Sequence, residues 1–196
     1  METRNSHGLE QFCSSLEERS GLSILDLAGA NQHTVSFVTN YGHSIYSDDF
    51  VFQLDHCFAA DRDGSFFENQ SNPRKVEHFL QSILQFPEGS FDGILVWDCL
   101  QYLTPSLLTL AVERLHRVAR PGSSLLAIFN ADEKLAPVPT FSFRIQDHRT
   151  LALLPRGPRQ PSQVFNNRIL EKLFQDFQSV KFFLTRGQMR ELIIRR

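Results

Sequence analysis

Between Leu22 and Phe129, short apolar runs alternate with segments whose apolar residues recur at helical spacing. "LSILDLA", "FDGILVWD" and "SSLLAIF" are nearly continuous apolar runs, the pattern of strands buried on both faces of a sheet. "HSIYSDDF" reads as a further strand that ends in two acids. Between these runs, Asn31 to Tyr41 places Val35 and Val38 on one face and stops at Gly42. "KVEHFLQSILQF" sets Val76, Phe79, Leu80, Ile83 and Leu84 at helical spacing and closes at Pro87 and Gly89. Thr104-Pro105 is a hydroxyl cap followed by a first-turn proline, and Leu108, Ala111, Leu115 and Val118 continue that face to Pro121-Gly122. Strands that alternate with helices predict an α/β sheet of parallel strands joined by right-handed crossovers.

Outside that region the pattern changes. Residues 1–20 read as an N-terminal helical segment, with Leu9, Phe12 and Leu16 on one face. Residues 136–163 read as an insert with a possible hairpin, "FSFRIQDHRTLALLP". "AADRDGSFFENQSNPRK" is turn-rich and reads as a loop. "NNRILEKLFQDF" predicts a last helix, and Ser179 to Thr185 with Met189 to Arg195 predict an antiparallel hairpin around Gly187. With 196 residues the chain is expected to form one domain.

Composition narrows the function classes. Hydrophobic residues make up 41% and charged residues 21%, the balance of a globular protein, and the formal net charge of -2 gives no reason to expect nucleic acid. No apolar run is long enough to span a bilayer, so no membrane partner is expected. Cys13, Cys57 and Cys99 are scattered and form no CxxC, which points to a reducing, cytoplasmic compartment. The histidines include no HExxH pair, so no metal site is expected.

In an α/β sheet, ligands sit beyond the carboxyl ends of the strands. The turn "DLAGANQ" lies at such an end, and Ala28, Gly29 and Ala30 let backbone amides approach a ligand. Asp48 and Asp49 follow Asp26 by about twenty residues, the spacing of an acid that accepts hydrogen bonds from ribose hydroxyls. Each feature has a plainer reading as well: a tight strand-to-helix turn for the small residues, a helix cap or solvated turn for the acids.

The segment "FDGILVWDCLQYLTPSLLTLAVERLHRVARPGSSLLAIF" resembles the class I S-adenosylmethionine-dependent methyltransferases. Phe91-Asp92, Asp98, Leu100, Leu103, Arg117-Val118, Arg120-Pro121-Gly122 and Leu125-Leu126 carry the resemblance, which covers roughly Leu22 to Asn130. It implies a single-domain Rossmann-like fold whose seven-stranded, mostly parallel sheet ends in a C-terminal antiparallel hairpin. "DLAGANQ" then lies on the family's D-x-G-x-G-x-G, with Ala28, Ala30 and Gln32 where glycines usually stand. The resemblance implies S-adenosylmethionine as cofactor, with Asp26 near the methionine amine, Ala28, Gly29 and Ala30 lining it, and Asp48 or Asp49 on the ribose. Asp98 and Tyr102 are the candidate catalytic residues, beside the position of the methyl group; Asp98 is also a candidate cofactor or substrate contact, and its alternative is a turn cap. Gln32 is the larger departure, because its side chain could crowd the methionine tail. The loop acids Asp61 and Asp63 stand as candidates for the adenine contact.

The expected function is methyl transfer to a small-molecule or protein substrate that the sequence does not identify. A methyltransferase-like binding or scaffold protein without catalysis is the first alternative. A nicotinamide-dependent oxidoreductase is the second, weakened by the lack of G-x-G-x-x-G.

Overall fold

The computed structural model describes residues 2–17, 19–185 and 188–196. Its central sheet has six strands: β2 (Ser23–Asp26), β3 (Ser44–Ser47), β4 (Phe91–Trp97), β5 (Ala119–Asn130), β8 (Ser179–Thr185) and β9 (Met189–Arg195). They lie in the order β3-β2-β4-β5-β9-β8. The first four are mutually parallel, and β9 runs antiparallel to both β5 and β8. "FDGILVWD" and "SSLLAIF" are thus adjacent parallel strands, as the alternation predicts. The hairpin pairs Thr185 with Met189, and Gly187 lies outside the described residues. All seven residues of β4 are buried, which is why that run carries no polar alternation.

The expectation of seven strands in one sheet is corrected to six. After β3 the chain makes helices α3 (Phe50–Phe58), α4 (Phe66–Asn69) and α5 (Pro73–Ser82), then enters β4 without pairing beside β3. Phe50, Leu54, Cys57 and Phe58 bury one stripe of α3, and Asp49 caps it by accepting from the Phe52 amide. The turn-rich "AADRDGSFFENQSNPRK" is not all loop: Ser65 and Glu68 form a capping box that starts α4. α5 stops before Ile83, because Ile83 is extended and Leu84 takes a left-handed φ of 51°.

Three further strands form a separate antiparallel sheet, β1 (Glu2–Asn5), β7 (Thr150–Arg159) and β6 (Val138–Asp147), in the order β1-β7-β6. The hairpin expected in 136–163 is present as β6–β7. The first residues, expected to be helical, instead supply β1 before α1 (His7–Ser14) begins.

Two cores flank the central sheet. On one face α3, α5, α6 (Pro105–Val118) and α7 (Asn167–Leu173) cover Leu25, Ile94, Val96, Leu125 and Leu192. On the other, α1, α2 (Gln32–Asn40) and the three-stranded ribbon cover Ile24, Leu95, Trp97, Leu126, Ile128 and Ile193. Phe143, Ile145, Leu151 and Leu153 are the ribbon's buried contribution to this second core.

Candidate functional site

β2 ends in Asp26, fully buried between its neighbours. Its Oδ1 accepts from the Ala28 amide at 3.0 Å and from the Trp97 indole Nε1 at 2.7 Å, while Oδ2 has no partner. Burial pushes its carboxyl up to about 6, against these two hydrogen bonds, and the Asp49 charge adds to the rise. The turn that follows is tied to the end of β3. The Gly29 amide donates to the Asp48 carbonyl at 3.2 Å, and the Phe50 amide to the Leu27 carbonyl at 3.1 Å. Asn31 then caps α2 by accepting from the Thr34 amide at 3.0 Å.

Gly29 has φ +77°, and a Cβ there would meet Asp49 Oδ2 at 3.1 Å. Among the described residues, the non-glycines with positive φ are Leu84, Trp97 and Gln188. Ala28 and Ala30 are not among them, so the loop's one glycine stands at its one left-handed position. Gln32, the departure that threatened to crowd a ligand, is exposed on α2 and donates to Ser36 Oγ at 2.9 Å.

A cavity of about 240 Å³ opens over this turn, lined by Ala28, Ala30, Asn31 and Asp49 from below and by Phe143 and Arg144 of the ribbon from above. The two acids after β3 diverge. Asp49 faces this cavity, whereas Asp48 accepts from the Leu84 amide at 3.2 Å and holds the segment after α5 against β3. Burial pushes the Asp48 carboxyl up, opposed by that hydrogen bond.

Trp97 ends β4 at a left-handed φ of 56°, an uncommon conformation for a bulky residue. It is 2% exposed, and its ring stacks on Phe143 with centroids 5.1 Å apart and planes 4° apart. Asp98 follows. It begins a 3-10 turn, Cys99–Tyr102, without capping it. Its Oδ2 instead accepts from the Tyr102 hydroxyl at 3.1 Å; that hydroxyl accepts from Gln101 Nε2 at 3.0 Å, and Gln101 Oε1 from the Asn130 amide at 2.9 Å. Desolvation pushes the Asp98 carboxyl up to about 6, against the Tyr102 hydrogen bond and the Arg159 and Arg156 charges. Desolvation and the neighbouring Asp98 raise the Tyr102 phenol, so Tyr102 is a donor to Asp98 and not a base. The buried Cys99 thiol is also pushed up and is no nucleophile.

Asp98 lines three cavities: the one over the turn, a second of about 560 Å³ and an apolar third of about 220 Å³. Val51, Tyr102, Arg156 and Arg159 border the second, and Ile128, Phe129 and Met189 the third. Phe141 borders all three. Arg159 pairs with Asp55 at 2.6 and 3.1 Å and lies 4.5 Å over the Tyr102 ring. Asp26, Ala28, Ala30, Asp49 and Asp98 are therefore brought to one place, and Tyr102 joins them through Asp98. Asp48 is spent on Leu84. Asp61 accepts from Lys75 at 2.5 Å and, like Asp63, lines none of these cavities.

Trp97 as the partner of Asp26, Gln101, Arg144, Arg156 and the ribbon aromatics were not singled out from the sequence. The alternation in "FSFRIQD" signals that Phe143 and Ile145 share a face, but nothing local says that this face covers the end of β4. Among the described residues no group of histidine, cysteine, aspartate and glutamate side chains could hold a metal ion. No described helix is long and apolar enough to cross a membrane.

No protein-family model matches the sequence, and no curated protein matches it significantly. Solved structures do match. The PH0226 protein from Pyrococcus horikoshii OT3 aligns over 96% of this chain and 87% of its own, at 14% identity and a TM-score of 0.55. A 1,6-didemethyltoxoflavin-N1-methyltransferase from Burkholderia thailandensis, solved with S-adenosylhomocysteine, aligns over 96% of this chain and 76% of its own, at 12% identity and a TM-score of 0.51. A TehB-like S-adenosylmethionine-dependent methyltransferase from Corynebacterium glutamicum aligns over 98% and 89%, at 12% identity and the same TM-score. At these identities the likeness is one of fold.

Proposed function

The chain has the fold of S-adenosylmethionine-dependent methyltransferases, and from that premise we propose that it binds S-adenosylmethionine over the Leu27–Asn31 turn and transfers a methyl group to an acceptor in front of Asp98. The fold does not by itself dictate this chemistry, since the [4+2]-cyclase SpnF shares it at a TM-score of 0.51. The observation that carries the reading is Asp26: a buried carboxylate at the floor of the turn with one oxygen unpartnered. Such an atom is costly unless a ligand donor completes it.

The residues present fit the cofactor. Asp26 Oδ2 suits a charged amine. Gly29 leaves open the space beside Asp49 that a side chain would fill, and Asp49 Oδ2 suits paired ribose hydroxyls. The cavity over the turn is smaller than ordinary ligand pockets, roughly 300–1,000 Å³. A nucleoside therefore also needs the adjoining 560 Å³ cavity, which shares Val51, Asp98, Phe141 and Arg156 with it.

When bound, S-adenosylmethionine supplies an electrophilic methyl on a sulfonium sulfur. Asp98, raised to about 6, is charged at neutral pH and within reach of an acceptor in any of the three cavities it lines. It positions an acceptor N–H or O–H and takes its proton where the acceptor must lose one. Tyr102 and Gln101 hold Asp98 in one orientation by a hydrogen-bonded chain that ends on β5. The Phe143 ring and the buried Trp97 exclude water from this end of β4.

Calorimetric titration of S-adenosylmethionine and S-adenosylhomocysteine tests the reading; binding of both is expected, and binding of neither would overturn it. A second reading, binding without transfer, draws on Trp97, whose indole already occupies Asp26 Oδ1 and fills space above the turn. Bound cofactor that is never consumed across a broad acceptor panel would favour it.

A further inference from the structure

The ribbon strands β6 and β7 place two arginines over the turn. Arg144 is half-buried and Arg156 exposed, both line the cavity above the turn, and neither guanidinium makes a hydrogen bond or ion pair with another described residue. Their neighbours show that this is not the general condition of arginines here. Arg159, three residues on, is paired with Asp55 and stacked on Tyr102, and Arg120 is paired with Asp92 at 2.7 Å.

Arg156 is delivered by a specific device. Gly157 pairs with Thr140 and Pro155 with Phe141, so Arg156 is an extra residue in β7, a bulge, followed by Gly157 at φ +105°. Bulges bend a strand and re-aim a side chain, and this one leaves Arg156 bordering both the turn cavity and the second cavity. Arg144, on the neighbouring strand, borders the turn cavity as well.

The cavity is therefore electrically two-sided. Asp49 and Asp98 line it on the floor side, with the buried Asp26 beneath the turn, and Arg144 and Arg156 line the roof. A purely cationic or neutral guest would leave Arg144 without a counter-charge among the described residues and Arg156 with Asp98, which a cationic guest would itself engage. A guest with its cation down and its anion up answers both sides, and a carboxylate matches the guanidinium fork.

We propose that Arg144 and Arg156 form a carboxylate-binding pair that takes the anionic end of the ligand held over the Leu27–Asn31 turn. Two ligands carry that chemistry: the amino-acid tail of the cofactor, or a carboxylate on the acceptor. The first source rests on the cofactor reading above; the second does not.

Calorimetry separates them. The wild type and an Arg144→Gln/Arg156→Gln variant are titrated with S-adenosylhomocysteine, with 5′-methylthioadenosine, which has the same thioether nucleoside but no carboxylate, and with benzoate. The variant is expected to lose on the order of tenfold to a hundredfold for a carboxylate-bearing probe and nothing for 5′-methylthioadenosine. Loss for S-adenosylhomocysteine assigns the pair to the cofactor tail, and loss for benzoate alone assigns it to the acceptor. Wild-type protein that takes benzoate through the arginines but neither nucleoside leaves the pair standing and removes the cofactor reading. Unchanged binding of both carboxylate probes, equal loss for 5′-methylthioadenosine, or a wild type that binds none of the three would overturn the proposal. An Arg144→Lys/Arg156→Lys variant, which keeps the charge and loses the fork, controls for folding and is expected to fall between the two.

Discussion

At the scale of residues, Asp26 is held in a site that penalises its charge, and the penalty has a direction in pH. Its pKa is raised from 3.8 to about 6, so below pH 4 it is neutral, folded or unfolded, and carries no penalty. Between about pH 4 and 6 the folded state retains a proton that the unfolded chain has lost, and stability falls across that window by up to about 3 kcal/mol, then levels off. Asp26→Asn removes that fall. Its unpartnered amide costs about 1–3 kcal/mol at every pH, so the slope and not the level is the readout. The gap between wild type and variant in thermal unfolding is expected to shift in the variant's favour between pH 4 and 7; a gap independent of pH would contradict it. The two acids after β3 are separable in the same way. Asp49→Ala is expected to weaken S-adenosylhomocysteine by about 1.5–3 kcal/mol, whereas Asp48→Ala should chiefly lower the melting temperature by freeing Leu84. Equal effects of both on affinity would refute the distinction. Asp26, Gly29 and the acid pair were legible in the sequence because each acts within a turn or at a fixed distance from it. Trp97 was not legible as the partner of Asp26, because the two are 71 residues apart and meet only once β2 and β4 pair.

At the scale of elements, α1 lies on the sheet by virtue of two glycines. A Cβ on Gly93 of β4 would meet Phe12 Cζ at 2.8 Å, and one on Gly8 would meet Leu126 Cδ1 at 2.8 Å and Glu191 Oε2 at 2.9 Å. Glu191 is fully buried and accepts from the Gly8 amide at 2.7 Å, a carboxylate at a helix start. Gly93→Ala is expected to cost about 1–3 kcal/mol by lifting α1, measured by chemical denaturation; a neutral effect would mean that Phe12 can move aside freely. The strands and α6 were legible because their apolar periods are long and sharply bounded. Within Phe50 to Pro87 the helix on Val76, Phe79 and Leu80 was legible as α5, but α3 and α4 were not, because they are short and their caps lie among turn residues. Whether β3 would acquire a further neighbour is a matter of tertiary packing that no local period records.

At the scale of the whole molecule, the ribbon decides access. The chain has one tryptophan, and it stands between the turn and the ribbon. Its fluorescence is therefore expected to change in intensity or wavelength on titration with S-adenosylhomocysteine, and a saturating titration with no change in emission would show that Trp97 keeps its place. The β6–β7 hairpin was legible as a hairpin; its seat over β4 was not, because Phe143, Ile145, Leu151 and Leu153 find their partners across the chain. That seat is moored at three points. β1 runs through Ser6 into α1, whose start is bound to Glu191; β5 feeds β6; and β7 leads to α7. A cover with one mooring swings, and one with three must lift as a unit. Traffic through such a cover meets the same bottleneck in both directions. Loosening it at Leu153, which pairs with Phe143 but lines none of the three cavities, is expected to speed arrival and departure of a ligand alike, so that rapid-mixing traces change while the dissociation constant does not.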